Sequence, residues 1–389
     1  MNVKSLFTNF RLWVILFGVL ISIFFIATSG YMTNRDDSMP LYRGRVLDVD
    51  DSRLQPDPSI TNLHIGRQTL EVELLEGIFA GQRFRIDSTL SRFFNVHARA
   101  GMEILLFVDS FEGMVNSVEV FGHSRSTFLI IFLILFAVIL IAVGRSKGFY
   151  SMLSLLFTLI VIVFFMLPNI IDGSNPVILA VIVAVFTAVF SIFLVADFSK
   201  KSFAATLGTI IGVTIAGVTG IIAGEFSFIS GMNMEHASEV FHQGGRYIQI
   251  RVPLLFSAAI IIASLGAMID VAMSITSAVF EVKKVNESLS FWNLYKSGMR
   301  IGRDIIGTMS NTLILAFAGS SIMVLIIIAL YELPYIRLMN MDMLAVEVIL
   351  GISASIGLVL TVPVTSFLAA WLASERNINL NLISPRRKT

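Results

Sequence analysis

The stretches GAMIDVAMSITSAVFE at residues 266–281 and GRDIIGTMSNTLILAFAG at residues 302–319 decide how this chain is read. Each borders a long apolar run and carries charged and hydroxyl side chains inside it. With about 3.6 residues per helical turn, Asp270, Ser274, Ser277 and Glu281 fall on one face of a helix. Asp304, Thr308 and Asn311 do the same on the second helix, with Arg303 and Thr312 beside them. An acidic side chain at membrane depth costs about 2.5–3.5 kcal/mol, so it is expected to face a bundle interior or a watered cavity. The two stretches therefore point to a polytopic α-helical membrane protein with an internal polar seam on its sixth and seventh spans.

Composition agrees. Hydrophobic residues make up 56% of the 389 and charged residues 14%, against about 25% charged in soluble domains. The mean hydropathy is +0.83. A net charge of +1 gives no bias toward nucleic acid. The absence of cysteine excludes disulfides, iron–sulfur clusters and thiolate metal sites. There is no HExxH, GxSxG or GxxxxGK[ST], and no GxGxxG after a strand. Asp270 and Asp304 are the only pair that could serve an intramembrane aspartic protease, and they lack supporting glycine motifs. The expectation is no catalytic residues, no enzyme activity, no metal and no cofactor.

Taken in order, residues 1–30 form an N-terminal transmembrane anchor, with Lys4 and Arg11 ahead of the apolar run 12–27. An uncleaved signal anchor fits better than a cleaved signal peptide, because no A-x-A site ends the run. Residues 31–125 change character. The runs YRGRVLDV, RQTLEVELL, QRFRID, MEILLFVD and MVNSVEVF alternate with glycine and proline, which predicts a small all-β barrel, OB-like or SH3-like. Tyr42, Phe79, Phe84, Phe93, Phe94 and Phe107 read as its core, and His64 and His97 as isolated from each other and from any acidic pair. Residues 126–375 read as a seven-helix bundle with its core at 150–372, from spans at 127–143, 150–167, 176–195, 203–223, 252–280, 305–330 and 344–372. The total is about eight transmembrane helices. A basic cytoplasmic tail, 376–389, follows.

Orientation follows from Lys and Arg in the short loops. With the N-terminus inside, the inner segments hold Lys4 and Arg11, Arg145 and Lys147, Lys200 and Lys201, then Lys283, Lys284, Lys296, Arg300 and Arg303, and finally Arg376, Arg386, Arg387 and Lys388. Both termini are then cytoplasmic, and the β domain between the first two helices is extracytoplasmic. In the fifth span, Gly208 and Gly212, then Gly220 and Gly224, are spaced for close helix packing. In the loop 225–251, Glu235, His236, Glu239 and His242 suit an amphipathic surface helix better than a metal site. The sixth span, about 29 residues or about 43 Å as a helix, exceeds a hydrocarbon core of about 30 Å. Asp270 lies at the cytoplasmic interface if the helix protrudes and deep in the core if it tilts. Pairing of Arg303 with Glu281 or Asp270 would make a structural lock, and a titrating Asp270 would make a proton relay; both stay open.

On these residues the chain resembles the YibE/F family of multipass bacterial membrane proteins. The resemblance is carried by GFYSMLSLLFTLIVIVFFMLP, DGSNP, LGAMIDVAMSITSAVFE and SGMRIGRDIIGTMSNTLILAFAGSS, and runs from about residue 77 to 371. It implies a bacterial plasma-membrane location and this layout, and no particular reaction. A fainter likeness joins spans three to eight to the six-span core of SecD/SecF and the resistance–nodulation–division permeases, with Asp270, Glu281, Arg303 and Asn311 in the matching places. The large outer domain of those proteins is missing here, with only residues 168–176 in its place. The functional expectation is a transporter or permease of unidentified substrate, with proton coupling through the polar seam of the sixth and seventh spans as its finer form. The alternative is a non-transporting scaffold whose outer β domain binds a partner or cell-envelope component. The partners expected are the lipid bilayer, an unidentified small solute or ion, and a second copy of the chain or another membrane protein, with no nucleic acid.

Overall fold

A computed structural model describes residues 3–29, 41–111, 114–229, 252–331 and 333–374. The loop containing Glu235, His236, Glu239 and His242, and the tail from 375, lie outside the described residues. The chain divides into two compact units, Thr33–Leu140 and Met1–Met32 with Ile141–Thr389.

The first unit is a six-stranded antiparallel sheet. It is built from β1 (Leu41–Asp50), β2 (Leu54–Pro56), β3 (His64–Leu74), β4 (Arg83–Leu90), β5 (Glu103–Phe111) and β6 (Met114–His123). The hydrogen-bonded order is β2-β3-β1-β5-β6, with β4 also paired to β3. The sequence runs correspond to β1, β3, β4, β5 and β6. The three-residue β2, too short to carry a period, was not legible. Alternation along β3 and β5 sends Leu70, Val72, Leu74, Ile104, Leu106 and Val108 into one core with Val46 and Phe79. Tyr42 and Phe84 pack against that core. Phe93 and Phe94, expected inside, stand exposed instead. After β4 the chain closes a tight turn in which the Phe94 amide donates to Ser91 Oγ at 3.0 Å and the Ser91 amide to the Phe94 carbonyl at 2.7 Å, and both rings are left outside. His64 and His97 are not isolated: their ring centres are 5.2 Å apart, and His97 Nε2 lies 3.5 Å from Asp51 Oδ2.

Two carboxylates pin the loops of this unit. Glu76 accepts from the Arg43 amide at 2.9 Å and from its guanidinium at 3.1 and 3.2 Å. Asp57 accepts from Arg92 at 2.6 and 3.0 Å and from the amides of Ser59 and Ile60 at 2.8 and 3.0 Å. The Arg92 guanidinium, with the two amides, holds the Asp57 carboxyl below the usual range, and Arg43 does the same to Glu76.

The second unit is helical. It comprises α1 (Val3–Thr28), the part of the long α2 (Ser126–Val161) beyond Leu140, continued by a π-turn at Ile162–Met166 and α3 (Leu167–Ile171), α4 (Pro176–Ala196), α5 (Lys200–Phe226), α6 (Val252–Val285), α7 (Phe291–Ser320), α8 (Ile322–Leu330), the single turn α9 (Tyr335–Leu338) and α10 (Asp342–Ser374); the start of α2 belongs to the first unit. Local signals set the starts. Asn175 caps α4 by accepting from the Val177 and Ile178 amides, with Pro176 at the first helical position. Ser199 and Ser290 cap α5 and α7. Among the described residues six helices are long and apolar enough to cross a membrane, or seven if the bent pair α7 and α8 is one span. The sequence reading expects eight, and the difference from seven lies in Ser126–Ile171. That 46-residue stretch counts as one helix, although Arg145 within it has φ 50° and ψ −133° and breaks the helical path.

The helical core is centred on α5, α6 and α10. A Cβ at Gly208 or Gly212 would overlap the side chains of Thr365 and Thr361 on α10, and one at Gly220 would overlap Ile260 on α6. Gly224 is looser, with Phe256 at 3.8 Å. The absence of side chains is what lets these backbones approach.

Candidate functional site

The α6–α7 pair carries the residues that the sequence singles out. A Cβ at Gly298 would lie 3.0 Å from Val279, and one at Gly302 3.3 Å from Ile275. These contacts fix an antiparallel register in which Glu281 is level with Lys296, and Asp270 with Gly307. On α6, Val271, Ala272, Ile275, Thr276 and Val279 are buried, while Asp270, Ser274 and Glu281 are exposed and Ser277 is half-buried. On α7, Leu294, Gly298, Gly302 and Leu313 are buried, while Arg303, Asp304, Thr308, Asn311 and Thr312 are exposed. The polar seam therefore does not line the interior of the described chain. It faces outward on both helices.

The expected ion pair of Arg303 with Glu281 or Asp270 does not form. Glu281 instead lies 3.7 Å from Lys284, one turn further along its own helix, a contact between exposed groups worth little. Among the described residues neither Arg303 nor Asp270 has an ion-pair partner.

The depth of Asp270 can be read against α5. Gly212 lies beside Met268, whose sulfur is 3.3 Å from the position of an added Cβ. Gly212 is about 18 Å along α5 from its basic start at Lys200 and Lys201, at 1.5 Å per residue. Because α6 runs the other way, Asp270 is about 15 Å from that basic end. It is thus not at the end of the helical layer, where the flanking lysines lie.

Groups that the sequence reading passed over lie inside the bundle. Thr206 and Thr209 on α5 and Ser353, Thr361, Thr365 and Ser366 on α10 are buried. Thr361 and Thr206 each donate back to a carbonyl of their own helix, at 2.8 and 2.9 Å. These hydroxyls were lost among small residues, since a Ser or Thr in an apolar run gives no signal of which way it faces. A second missed feature is Glu347, on the first turns of α10, which accepts a hydrogen bond from Ser321 Oγ. Ser321 is buried and sits at the 62° bend between α7 and α8. The signal was available: Glu347 is a lone acid in the apolar run 344–372, and paired serines at 320–321 mark a kink. The two groups open on a cavity of about 270 Å³ lined otherwise by apolar side chains such as Phe317, Leu325 and Ile352.

A third missed contact fastens the first helix. Arg11 Nε reaches Asp197 Oδ1 at 2.5 Å, and its guanidinium stands 4.8 Å from the Tyr150 ring centre. Phe25 stacks on Phe165 at 4.6 Å. Beside this helix lies a second cavity of about 300 Å³, walled by Trp13, Phe17, Phe157, Phe190 and Phe198. Among the described residues no three His, Asp or Glu side chains come together as metal ligands.

Comparison with known proteins assigns residues 132–375 to the YibE/F-like proteins. The match starts beyond the strand-rich unit, so it is narrower than the sequence resemblance, which reached back to Gly77. No curated protein and no solved structure matches the chain.

Proposed function

Because the chain belongs to the YibE/F-like family, a name that specifies no reaction, we propose from its site that it is a membrane transporter or permease working through the polar surface of α6 and α7. Its cargo is a small solute or ion, and Asp270 is the group that couples movement to a proton. The observation carrying this reading is the position of Asp270: a carboxylate with no ion-pair partner among the described residues, about 15 Å from the basic end of the neighbouring helix. Such groups are costly in a bilayer and characteristically mark ion and proton paths.

The layout proposed with it is a bacterial plasma-membrane protein with eight crossings and both termini in the cytoplasm. Ser126–Ile171 would be about 69 Å long as a straight helix, more than twice a hydrocarbon core of about 30 Å. Two crossings joined at the break by the basic turn at Arg145 and Lys147 fit that length. The strand-rich unit is then an outer domain of OB type. Its β1 is flanked by β3 and β5, with β4 beyond β3 and β6 beyond β5, the connectivity of a partly open Greek-key barrel.

The deciding experiment is flux in proteoliposomes with and without an imposed pH gradient, comparing the native protein with Asp270→Asn. The native protein should move protons or solute down the gradient, and Asp270→Asn should assemble normally but lose gradient dependence. Full activity in Asp270→Asn would end the proton-coupling reading. A second reading, a non-transporting scaffold whose outer domain binds a partner or envelope component, is favoured by the closed packing of α5 against α10. It gains if neither protein gives flux.

A further inference from the structure

The outward faces of α6 and α7 point to more than a solute path. We propose that they are the contact surface between two copies of this chain, related by a twofold axis running along the helices. The inference needs only that these helices lie in a bilayer. It does not need transport, and a flux-inactive protein would leave it untouched.

Asp270 and Ser274 on α6, and Arg303, Asp304, Thr308 and Asn311 on α7, are exposed in the single chain. Lipid tails offer such groups no hydrogen bonds, so a polar neighbour must cover them. The surface is complementary to itself. A twofold axis along the helices keeps each residue at its own depth when the second copy is generated. The register fixed by Gly298 against Val279 and Gly302 against Ile275 therefore brings Glu281 of α6 to the level of Lys296 on the other copy's α7. It also brings Asp270 within about one turn of Arg303. Two carboxylates on α6 of each copy, Asp270 and Glu281, thus come to the level of two cations on α7 of the other, Arg303 and Lys296, the self-matching pairing that a twofold interface requires. Shape agrees with charge. A Cβ at Gly266 or Gly307 would meet nothing within 4 Å, so both outward glycines leave room for a neighbouring helix backbone.

The chain has no cysteine, so every thiol cross-link can be assigned to an introduced residue. Ser274→Cys and Gly307→Cys should be made separately and co-expressed in one membrane, with Leu155→Cys, exposed on α2, as the control. On oxidation, the Ser274→Cys with Gly307→Cys pair should give a disulfide-linked band of two chain masses, at least tenfold above the control. Unlinked native protein in nanodiscs should have the mass of two chains. In the Ser274→Cys and Gly307→Cys background, Glu281→Lys or Lys296→Glu alone should cut the cross-link several-fold, and the two reversals together should restore it. Cross-linking no better than Leu155→Cys with a single chain per nanodisc overturns the proposal, whether the stripe thiols then react with a water-soluble maleimide or not. Cross-linking of the stripe to a different membrane protein overturns it equally. Loss of cross-linking without rescue by the double reversal refutes the self-complementary arrangement.

Discussion

Replacing Gly212 by alanine tests the packing at the centre of the bundle with one methyl group. The added Cβ would overlap Thr361 Oγ1 and come within 3.1 Å of Thr361 Cβ and 3.3 Å of Met268 Sδ. Thr361 cannot simply turn away, because it is fully buried and its hydroxyl donates to the Gly357 carbonyl at 2.8 Å. Forcing an extra carbon into such a site costs about 1–3 kcal/mol. Removing a helical glycine returns about 1 kcal/mol. The net expectation is a loss of about 0–2 kcal/mol for Gly212→Ala, and a larger loss for Gly212→Leu. Gly224→Ala is the internal control. Its nearest neighbour atoms are at 3.8 Å, an ordinary contact, so only the propensity gain of up to about 1 kcal/mol applies. Unfolding midpoints of the four proteins in one detergent should fall in the order Gly224→Ala, native, Gly212→Ala, Gly212→Leu, with the first two close. A Gly212→Ala protein as stable as Gly224→Ala would show that α5 and α10 do not approach as described, and would remove the argument placing α5 at the centre.

Three further outcomes are expected. The depressed Asp57 and Glu76 carboxyls stabilise the strand-rich unit above their unfolded values near pH 4, and that contribution is lost as pH falls through their lower folded values. Amide exchange in β2, β3 and the Asp57 turn should therefore rise in the native protein below about pH 4, whereas Asp57→Asn should exchange faster at pH 7 already; acid-insensitive exchange in the native protein would contradict the assignment. Ser321→Ala removes the donor to Glu347 and leaves a half-buried acceptor unpaired, which should cost about 1–3 kcal/mol, with Glu347→Gln milder, both read from unfolding midpoints; no change in either would leave the 62° bend without this support. For topology, single cysteines at Phe93 and Asn286 should differ on intact cells, the first reacting with an impermeant maleimide and the second only after lysis; the reverse pattern would invert the proposed orientation.

Hydropathy and spacing carry the class and the number of long apolar runs, because both follow from what a residue is. They carry less about which way a polar side chain faces. Asp270, Ser274 and Glu281 do share one helix face, as a period of 3.6 requires, but that period is silent on whether the face looks in or out. The energetic rule that buries charge applies to the finished assembly, and the single chain leaves that face uncovered. His64 and His97 show a related limit. They are 33 positions apart in sequence, and only the pairing of β3 with its neighbours and the return of the chain after β4 bring their rings together. Phe93 and Phe94 read as core on residue type alone, and a hydroxyl-closed turn overrides that preference.

The link from Arg11 to Asp197 also has a history in time. Its two ends are separated by 186 positions, and translation at about 5–20 residues per second leaves Arg11 waiting about 10–40 s for its partner. In that interval the whole strand-rich unit is synthesised, and Tyr150 emerges before Asp197 does. A nascent chain halted short of Asp197 would hold α1 by aromatic packing and the Arg11–Tyr150 contact, whereas a chain extended well past Asp197 could add the ion pair. The ion pair with Asp197 is therefore the last of these contacts that α1 can make, after those with Tyr150, Phe165 and Phe190.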